Sequence, residues 1–357
     1  MGLLPKDRDL TVPLEDVELV VLASDFREKA EGFVMRLDQF LGEHLHWRSR
    51  NSIQKLVRDG YVYVDCATPD HPSGTGERTR ERRPGRRVAH GSRIWVVIPE
   101  EHRIPVPTGP VSPLHILYED DQVVVVDKPP LVAVHPSGRH LADTLIQRVH
   151  AHYSAEVEAG SMTPRLCHRL DRETSGLVLV AKHPHTHPVL MGQFENRQVE
   201  KSYLALTRGV PDPPRGIVDE PLGQARASEI RLKMAVRADG LPSSTGYEVL
   251  EDHGHLALVR CDLFTGRQHQ IRVHLAWLGC PLVGDKLYGA DEGLFTRAVD
   301  GELSAGDRRE LGLERHALHN HRLVFTTPDG DRRISVESPL ADDMASFLEQ
   351  EQQRRSD

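Results

Sequence analysis

An α+β fold, built on a mixed and largely antiparallel sheet with flanking helices, is what the pattern of this chain predicts. Strand-like segments come in pairs and meanders, as at residues 61–65 and 91–98, rather than in strict strand–helix alternation. Short stretches at helical spacing interrupt them. No GxGxxG follows a strand and no GxxxxGK[ST] loop occurs, so no nucleotide cofactor is expected. A smaller α/β module is read ahead of the main sheet.

A length of 357 residues suggests about two domains. Apolar residues make up 38%, enough for a real core, and no apolar run reaches the ~18 residues of a membrane span. The opening MGLLPKDRDL lacks a basic start followed by an apolar stretch, so no secretory leader is expected. Cys66, Cys167, Cys261 and Cys280 are scattered without CxxC spacing, which argues against a zinc ribbon and fits buried thiols in a reducing cytoplasm. The formal net charge of −8 counts against nucleic acid only at first sight, because binding follows local patches rather than the total.

In chain order, residues 1–32 form a polar extension with one apolar patch at 17–22. Residues 33–99 make a compact module. Leu37, Phe40, Leu41 and Leu45 fall at helical spacing. Ser49 then caps a second short helix, carrying Arg50, Ile53, Leu56 and Val57, that stops at Gly60. Alternating strands follow at 61–65 (YVYVD) and 91–98 (GSRIWVVI). Between them, residues 69–87 (PDHPSGTGERTRERRPGRR) read as a disordered or loop insert. Arg78, Arg80, Arg82, Arg83, Arg86 and Arg87 make this insert either a phosphate contact or a solvated basic loop. Pro105, Pro107 and Pro110 mark 100–112 as a linker. The larger domain, 113–349, opens on a buried strand at 123–126 that Lys128-Pro129-Pro130 ends, followed by a helix at 141–149.

The chemistry centres on residues 165–182, RLCHRLDRETSGLVLVAK. Asp171 lies between Arg169 and Arg172, the turn trio Thr174-Ser175-Gly176 follows, and 177–181 is an apolar strand. Nearby positive charge favours an ionised carboxylate, and a loop at a sheet edge can present it to a charged substrate. A plain Arg–Asp loop clamp explains the same residues. His183, His185 and His187 alternate, but no carboxylate or cysteine completes a ligand set; a capped start to a helix at 189–196 is read there instead of a metal site. Tyr203 falls in a strand, where a tyrosine is ordinarily a core residue with a polar tip. After a strand at 256–262, Thr265-Gly266 turns the chain into a helix with Ile271, Leu275 and Leu278 on its apolar face; Gln268, His269 and Arg272 share the other. Residues 291–312 read as a surface insertion, His316, His319 and His321 as framework, and 350–357 as a frayed tail.

These strings resemble the signatures of the RluA-type pseudouridine synthases. HRLD, two free positions, TSG and an apolar strand match from His168 onward, and TGR-x-HQIR-VH with G-x-P and GD-x-x-YG matches over 265–289. K-x-Y-x-A matches at Lys201, Tyr203 and Ala205, and the first motif at Lys128, Pro129, His135 and Pro136. The 33–99 module resembles the S-four-type RNA-binding module through Arg36, Leu37, Asp38, Ser49, Arg50, Gly60, Val62, Val64, Gly91 and Ile94, with Ser92 where an acidic residue is usual. The resemblance implies the pseudouridine synthase fold over 113–349 and an isomerase that converts uridine to pseudouridine in structured RNA. It places catalysis on Asp171, with Arg272 pairing the carboxylate, Tyr203 packing on the target base and Arg169 filling the space of the flipped nucleotide. Further RNA-contact candidates are His168, Arg267, His269, Gln270, Arg36 and Arg50.

Such a reaction breaks the bond from ribose to ring nitrogen and rejoins the sugar to carbon 5 of the same base. Atoms and electrons balance, so neither cofactor nor metal is expected. Three routes stay open to Asp171: addition to the base ring, attack on the ribose carbon, or removal of a ribose proton. Ribosomal RNA is favoured over transfer RNA as substrate of a cytoplasmic monomer that needs no membrane and no obligatory protein partner. Two readings compete: a non-catalytic RNA-binding or ribosome-assembly protein on the same scaffold, and a retaining nucleosidase.

Overall fold

A computed structural model of the chain describes residues 16–26, 28–45, 50–97, 112–136, 142–289 and 291–356. By their contacts the residues divide into two compact units, one running to Pro113 and including His135–Thr163, the other Leu114–Val134 with Pro164–Asp357. Among the described residues no helix is long and apolar enough to cross a membrane.

The first unit holds strands β1 (Asp16–Val20), β2 (Val34–Arg36), β3 (Val62–Asp65), β4 (Thr79–Glu81), β5 (Arg87–Ala89) and β6 (Arg93–Val97). Its helices are α1 (Leu37–His44), α2 (Arg50–Arg58), α3 (Leu145–His152) and α4 (Ser154–Glu158). Strands pair antiparallel in the order β1-β6-β3-β4, and β2 pairs with β5. Alternation sends Val17, Leu19, Val62, Val64, Ile94 and Val96 into one core with Leu37, Phe40 and Leu41 of α1 and Ile53, Leu56 and Val57 of α2. The apolar patch at 17–22 thus supplies a strand of this sheet. The insert at 69–87 is not a featureless loop. Asp65 accepts hydrogen bonds from Thr75 N–H (2.9 Å) and Gly76 N–H (2.8 Å), which fastens the insert and lets β4 pair with β3. Ser92 Oγ accepts from Ala67 N–H at 2.9 Å, the use this chain makes of that position. Ser49 and residues 98–111 lie outside the described residues.

The second unit holds β7 (Ile116–Glu119), β8 (Val123–Lys128), β9 (Arg165–Leu166), β10 (Ser175–Ala181), β11 (Glu200–Arg208) and β12 (Arg215–Asp219). Then come β13 (Leu222–Gln224), β14 (Met234–Val236), β15 (Ser244–Asp252), β16 (Leu256–Leu263), β17 (Leu318–Thr326) and β18 (Arg333–Glu337). Its helices are α5 (Thr186–Glu195), α6 (Gln270–Trp277), α7 (Gly293–Asp300), α8 (Ala305–Leu311) and α9 (Asp342–Ser356). Ten strands share one sheet in the order β12-β15-β16-β11-β17-β10-β8-β7, with β18 on β17 and β9 on β10. Among the described residues, β10 and β17 run parallel and every other pair of this sheet is antiparallel. The α+β class and the mixed, largely antiparallel sheet are therefore as the pattern predicts.

Three local expectations change. Residues 291–312 fold as α7 and α8 and bury Leu294 and Leu311, so they are more than surface. Residues 350–356 do not fray but continue α9, whose Met344 and Leu348 are core residues; Glu, Gln and Arg are good helix formers. Helix α5 begins at Thr186, three residues before the expected start.

One row of cross-strand partners, Lys128–Gly176–Asn320–Tyr203–Cys261–Tyr247–Gly216, runs from β8 to β12. It sets the level at which the Asp171 loop joins the sheet. Gly176 has φ +105°, and a Cβ there would stand 2.3 Å from the Asn320 carbonyl oxygen. Gly176→Ala is expected to destabilise the protein by more than about 1 kcal/mol, read as a lower denaturant midpoint. A midpoint equal to the parent's would show that the strands part without cost.

Candidate active site

Asp171 lies on the loop between β9 and β10, and two buried cations hold that loop by its main chain. Lys128 Nζ donates to the carbonyls of Pro129 (2.9 Å), Val132 (3.0 Å) and Arg172 (3.1 Å). Arg315 donates to the Glu173 carbonyl at 3.3 Å, while its own guanidinium is gripped by both Asp343 oxygens at 2.7 Å. The Thr174-Ser175 turn is tied down too: Thr174 Oγ1 lies 2.7 Å from His316 Nε2, and Ser175 Oγ 2.9 Å from His319 Nδ1. Glu173 accepts from Lys286 Nζ (3.0 and 3.1 Å) and from the His316 N–H (3.0 Å). The loop is held through both its carbonyls and its polar side chains.

Arg272 on α6 reaches this loop. Its Nε and Nη2 donate to Asp285 at 2.7 and 2.9 Å, a bidentate grip, and Nη1 donates to Asp171 Oδ2 at 3.1 Å. Asp285 in turn accepts from Leu287 N–H (2.9 Å) and Tyr288 N–H (3.1 Å), and the Tyr288 ring lies 4.9 Å from the guanidinium carbon. Asp285 fixes the plane of the fork, and the fork aims one edge at Asp171.

The charges follow from this geometry. Burial opposes ionisation of Asp171, but His269, Arg272 and His316 outweigh it and hold the carboxyl below its ordinary value. Burial, then Arg272, pushes His269 down to about 4, so its ring is neutral near neutrality and Arg272 is the lasting counter-charge. Burial also opposes charge on Glu173, yet His316 and Lys286 bring it to about 2. The Asp171 side chain keeps 29% of its surface, enough for a substrate to touch.

Tyr203, on β11, is buried, and burial together with the Asp171 charge raises its phenol well above the ordinary value. Asp171, Tyr203 and Arg272 are thus brought within one electrostatic neighbourhood. Arg169 is exposed, and Arg267 is half-buried with Nε 3.3 Å from the Pro242 carbonyl. His269 is the N-cap of α6 with φ +57°; Nδ1 lies 2.8 Å from Tyr288 Oη and Nε2 3.8 Å from Asp171 Oδ2. Tyr288 Oη also accepts from Met234 N–H (2.9 Å), so this hydroxyl ties His269 to β14.

Several expectations need correcting here. Helix α6 begins at Gln270, after the left-handed His269, so Gln268, His269 and Arg272 do not share a helical face. Gln270 uses its whole amide inside the protein: Oε1 accepts from Thr265 Oγ1 (2.7 Å) and Arg267 N–H (3.0 Å), and Nε2 donates to the Ser244 carbonyl (3.0 Å) and Thr245 Oγ1 (2.8 Å). It shapes the turn and has nothing left for RNA. His168 accepts from Leu179 N–H at 3.1 Å and packs against Phe194 with ring centres 5.0 Å apart, and burial lowers it to about 3; it too holds the loop. Arg36 and Arg50 belong to the first unit, where Arg36 grips Asp38 at 2.9 Å twice and the more exposed Arg50 stands 3.7 Å from it. Asp285, Lys128 and Arg315 were not foreseen in these roles; the G-D-x-x-Y-G string was the available signal for Asp285.

Comparison with known proteins completes the picture. The RNA pseudouridylate synthase family model matches residues 122–277. The RNA pseudouridine synthase YlyB of Bacillus subtilis is 34% identical over 88% of this chain and 93% of its own length. Ribosomal large subunit pseudouridine synthase D of Nitrosomonas europaea is 35% identical over 88% of this chain and 84% of its own. The solved structure of human RNA Pseudouridylate Synthase Domain Containing 4 superposes with a TM-score of 0.52 at 28% identity, covering 67% of this chain and 93% of that one. By its sequence and its fold, the chain is a member of the RluA-type RNA pseudouridine synthases, and so an isomerase.

Proposed function

We propose that this enzyme isomerises a specific uridine of ribosomal RNA, with Asp171 as the catalytic carboxylate. The observation that carries the reading is the relay Asp285–Arg272–Asp171, which keeps one partly exposed carboxylate ionised and oriented in an otherwise buried site. An ionised carboxylate fixed in place can take part directly in remaking the ribose–base bond without a cofactor. Tyr203 packs on the uracil and holds the cut base while it turns. Arg169, exposed two positions before Asp171, fills the space the flipped nucleotide leaves. The first unit, with Arg36 and Arg50, contributes phosphate contacts.

Ribosomal RNA is favoured because relatives from Nitrosomonas europaea and Neisseria meningitidis, 35% and 36% identical, carry the name ribosomal large subunit pseudouridine synthase D. Pseudouridine mapping of total RNA from a deletion strain and its parent tests this. Loss of a ribosomal site is expected; loss confined to transfer RNA would move the substrate, and no loss anywhere would remove the proposal.

Tyr203→Phe keeps the ring and deletes the hydroxyl. RNA affinity should match the parent, while single-turnover rate falls on the order of 10² if the hydroxyl moves a proton. Equal rates would reduce Tyr203 to a stacking surface.

A further inference from the structure

The sheet of the first unit has a second face, opposite α1 and α2. Glu18, Trp95, Tyr63 and Arg80 are successive cross-strand partners there, alternating with the buried valines and isoleucine. The Arg78 guanidinium lies 4.4 Å from the Trp95 ring centre, and that of Arg80 5.3 Å from the Tyr63 centre, with a 2.8 Å hydrogen bond to Tyr63 Oη. Two planar cations thus lie over two aromatic rings, side by side.

The loop is built for this placement. Gly74, with φ +83°, would put a Cβ 2.3 Å from Asp65 Oδ2, so only glycine lets the insert close onto the carboxylate that holds Thr75 and Gly76. From there the chain delivers Arg78 and Arg80. Three other arginines of the run are occupied differently: Arg83 and Arg86 stand 3.3 and 3.7 Å from Glu81, and Arg82 donates to the Arg58 carbonyl at 3.2 Å. The acids of the face are engaged, Glu18 with Arg93 at 3.8 Å and Asp65 with the loop amides. Trp95 is 7% exposed, and its buried indole N–H meets no acceptor among the described residues.

We propose that this face is a stacking platform for one or two unpaired bases of the substrate RNA. It rests on the reading of the protein as an RNA-modifying enzyme. Arginine planes over aromatic rings offer a base a π-face on one side and its phosphate a cation on the other, whatever the base's identity. The positive row makes RNA the fitting occupant.

The test uses the full chain with Trp47→Phe and Trp277→Phe, leaving Trp95 as the sole tryptophan, excited at its red edge where tyrosine does not absorb. A short oligouridylate, its binding followed by anisotropy, should quench Trp95. In Arg78→Ala/Arg80→Ala, affinity should fall about tenfold. The slope of log affinity against log salt should become shallower by about 0.7 per lost phosphate contact. Arg78→Lys should keep the slope and lose affinity, because an ammonium has no plane to stack. Oligouridylate that binds without changing Trp95 emission, or a double variant with the parent's affinity and slope, would overturn the platform. Quenching in a parent protein that releases no tritium from 5-tritiated uridine in ribosomal RNA would support the platform and strike down the proposed ribosomal RNA substrate instead.

Discussion

Asp171→Asn should bind RNA as the parent does and turn over at least about 10⁴-fold more slowly. The substitution preserves shape and removes charge. Arg272 stays bidentate on Asp285, so no buried cation is stranded and the fold should survive. Affinity should persist because phosphate contacts elsewhere supply most of it. The parent's own acid limb belongs to the same argument. Because His269, Arg272 and His316 hold the Asp171 carboxyl below its ordinary value, the acid limb of turnover should lie below the range of a free carboxylate. The sign for stability agrees: a carboxyl depressed in the folded state adds stability above its unfolded value, lost as pH falls through the folded one. Tritium release from labelled RNA measures the rate, and filter binding the affinity. A variant within a few-fold of the parent would remove Asp171 from the chemistry.

The second large effect is expected from Arg272→Lys. One ammonium cannot span two carboxylates, so either the buried Asp285 or Asp171 loses its partner. Breaking a buried pair of this kind costs about 2 kcal/mol or more, which a denaturant midpoint would register. The rate should fall about 10²-fold or more, since the carboxylate is no longer oriented. Asp285→Asn separates the two contributions. It leaves Asp171 and Arg272 chemically intact and loosens only the grip on the fork, so kcat should drop with KM little changed. A parent-like kcat in Asp285→Asn would mean that α6 alone aims Arg272.

The three residues proposed for chemistry were singled out because each lies inside a short local string that resembles a family signature; composition and spacing alone left a loop clamp and a core tyrosine as open readings. What those strings could not reveal is who holds them. Lys128 meets the Arg172 carbonyl across 44 positions, and Arg315 meets that of Glu173 across 142. Such contacts are tertiary and leave no local period. The start of α6 was misjudged for a related reason: Gln268, His269 and Arg272 are spaced three and four apart, and the left-handed backbone of His269 breaks the helix without altering that spacing. Gln270 was taken for an RNA contact because its four partners, from Thr265, Arg267 and the start of β15, are not marked by any local pattern. In the insert, proline and glycine content suggested disorder, whereas order depends on one carboxylate, Asp65, placed ten residues before the amide it holds. Helix α9 was cut short because a polar composition was taken for a loose end.

The grip of Lys128 and Arg315 on carbonyl oxygens has an evolutionary side. Main-chain anchors are indifferent to which side chains the loop carries. The exposed Arg169 can therefore be exchanged without loosening those anchors, whereas Arg172 also meets Glu173 at 3.8 Å. A different nucleotide neighbourhood can thus be met by rewriting surface letters while the main-chain anchors of the carboxylate stay in place.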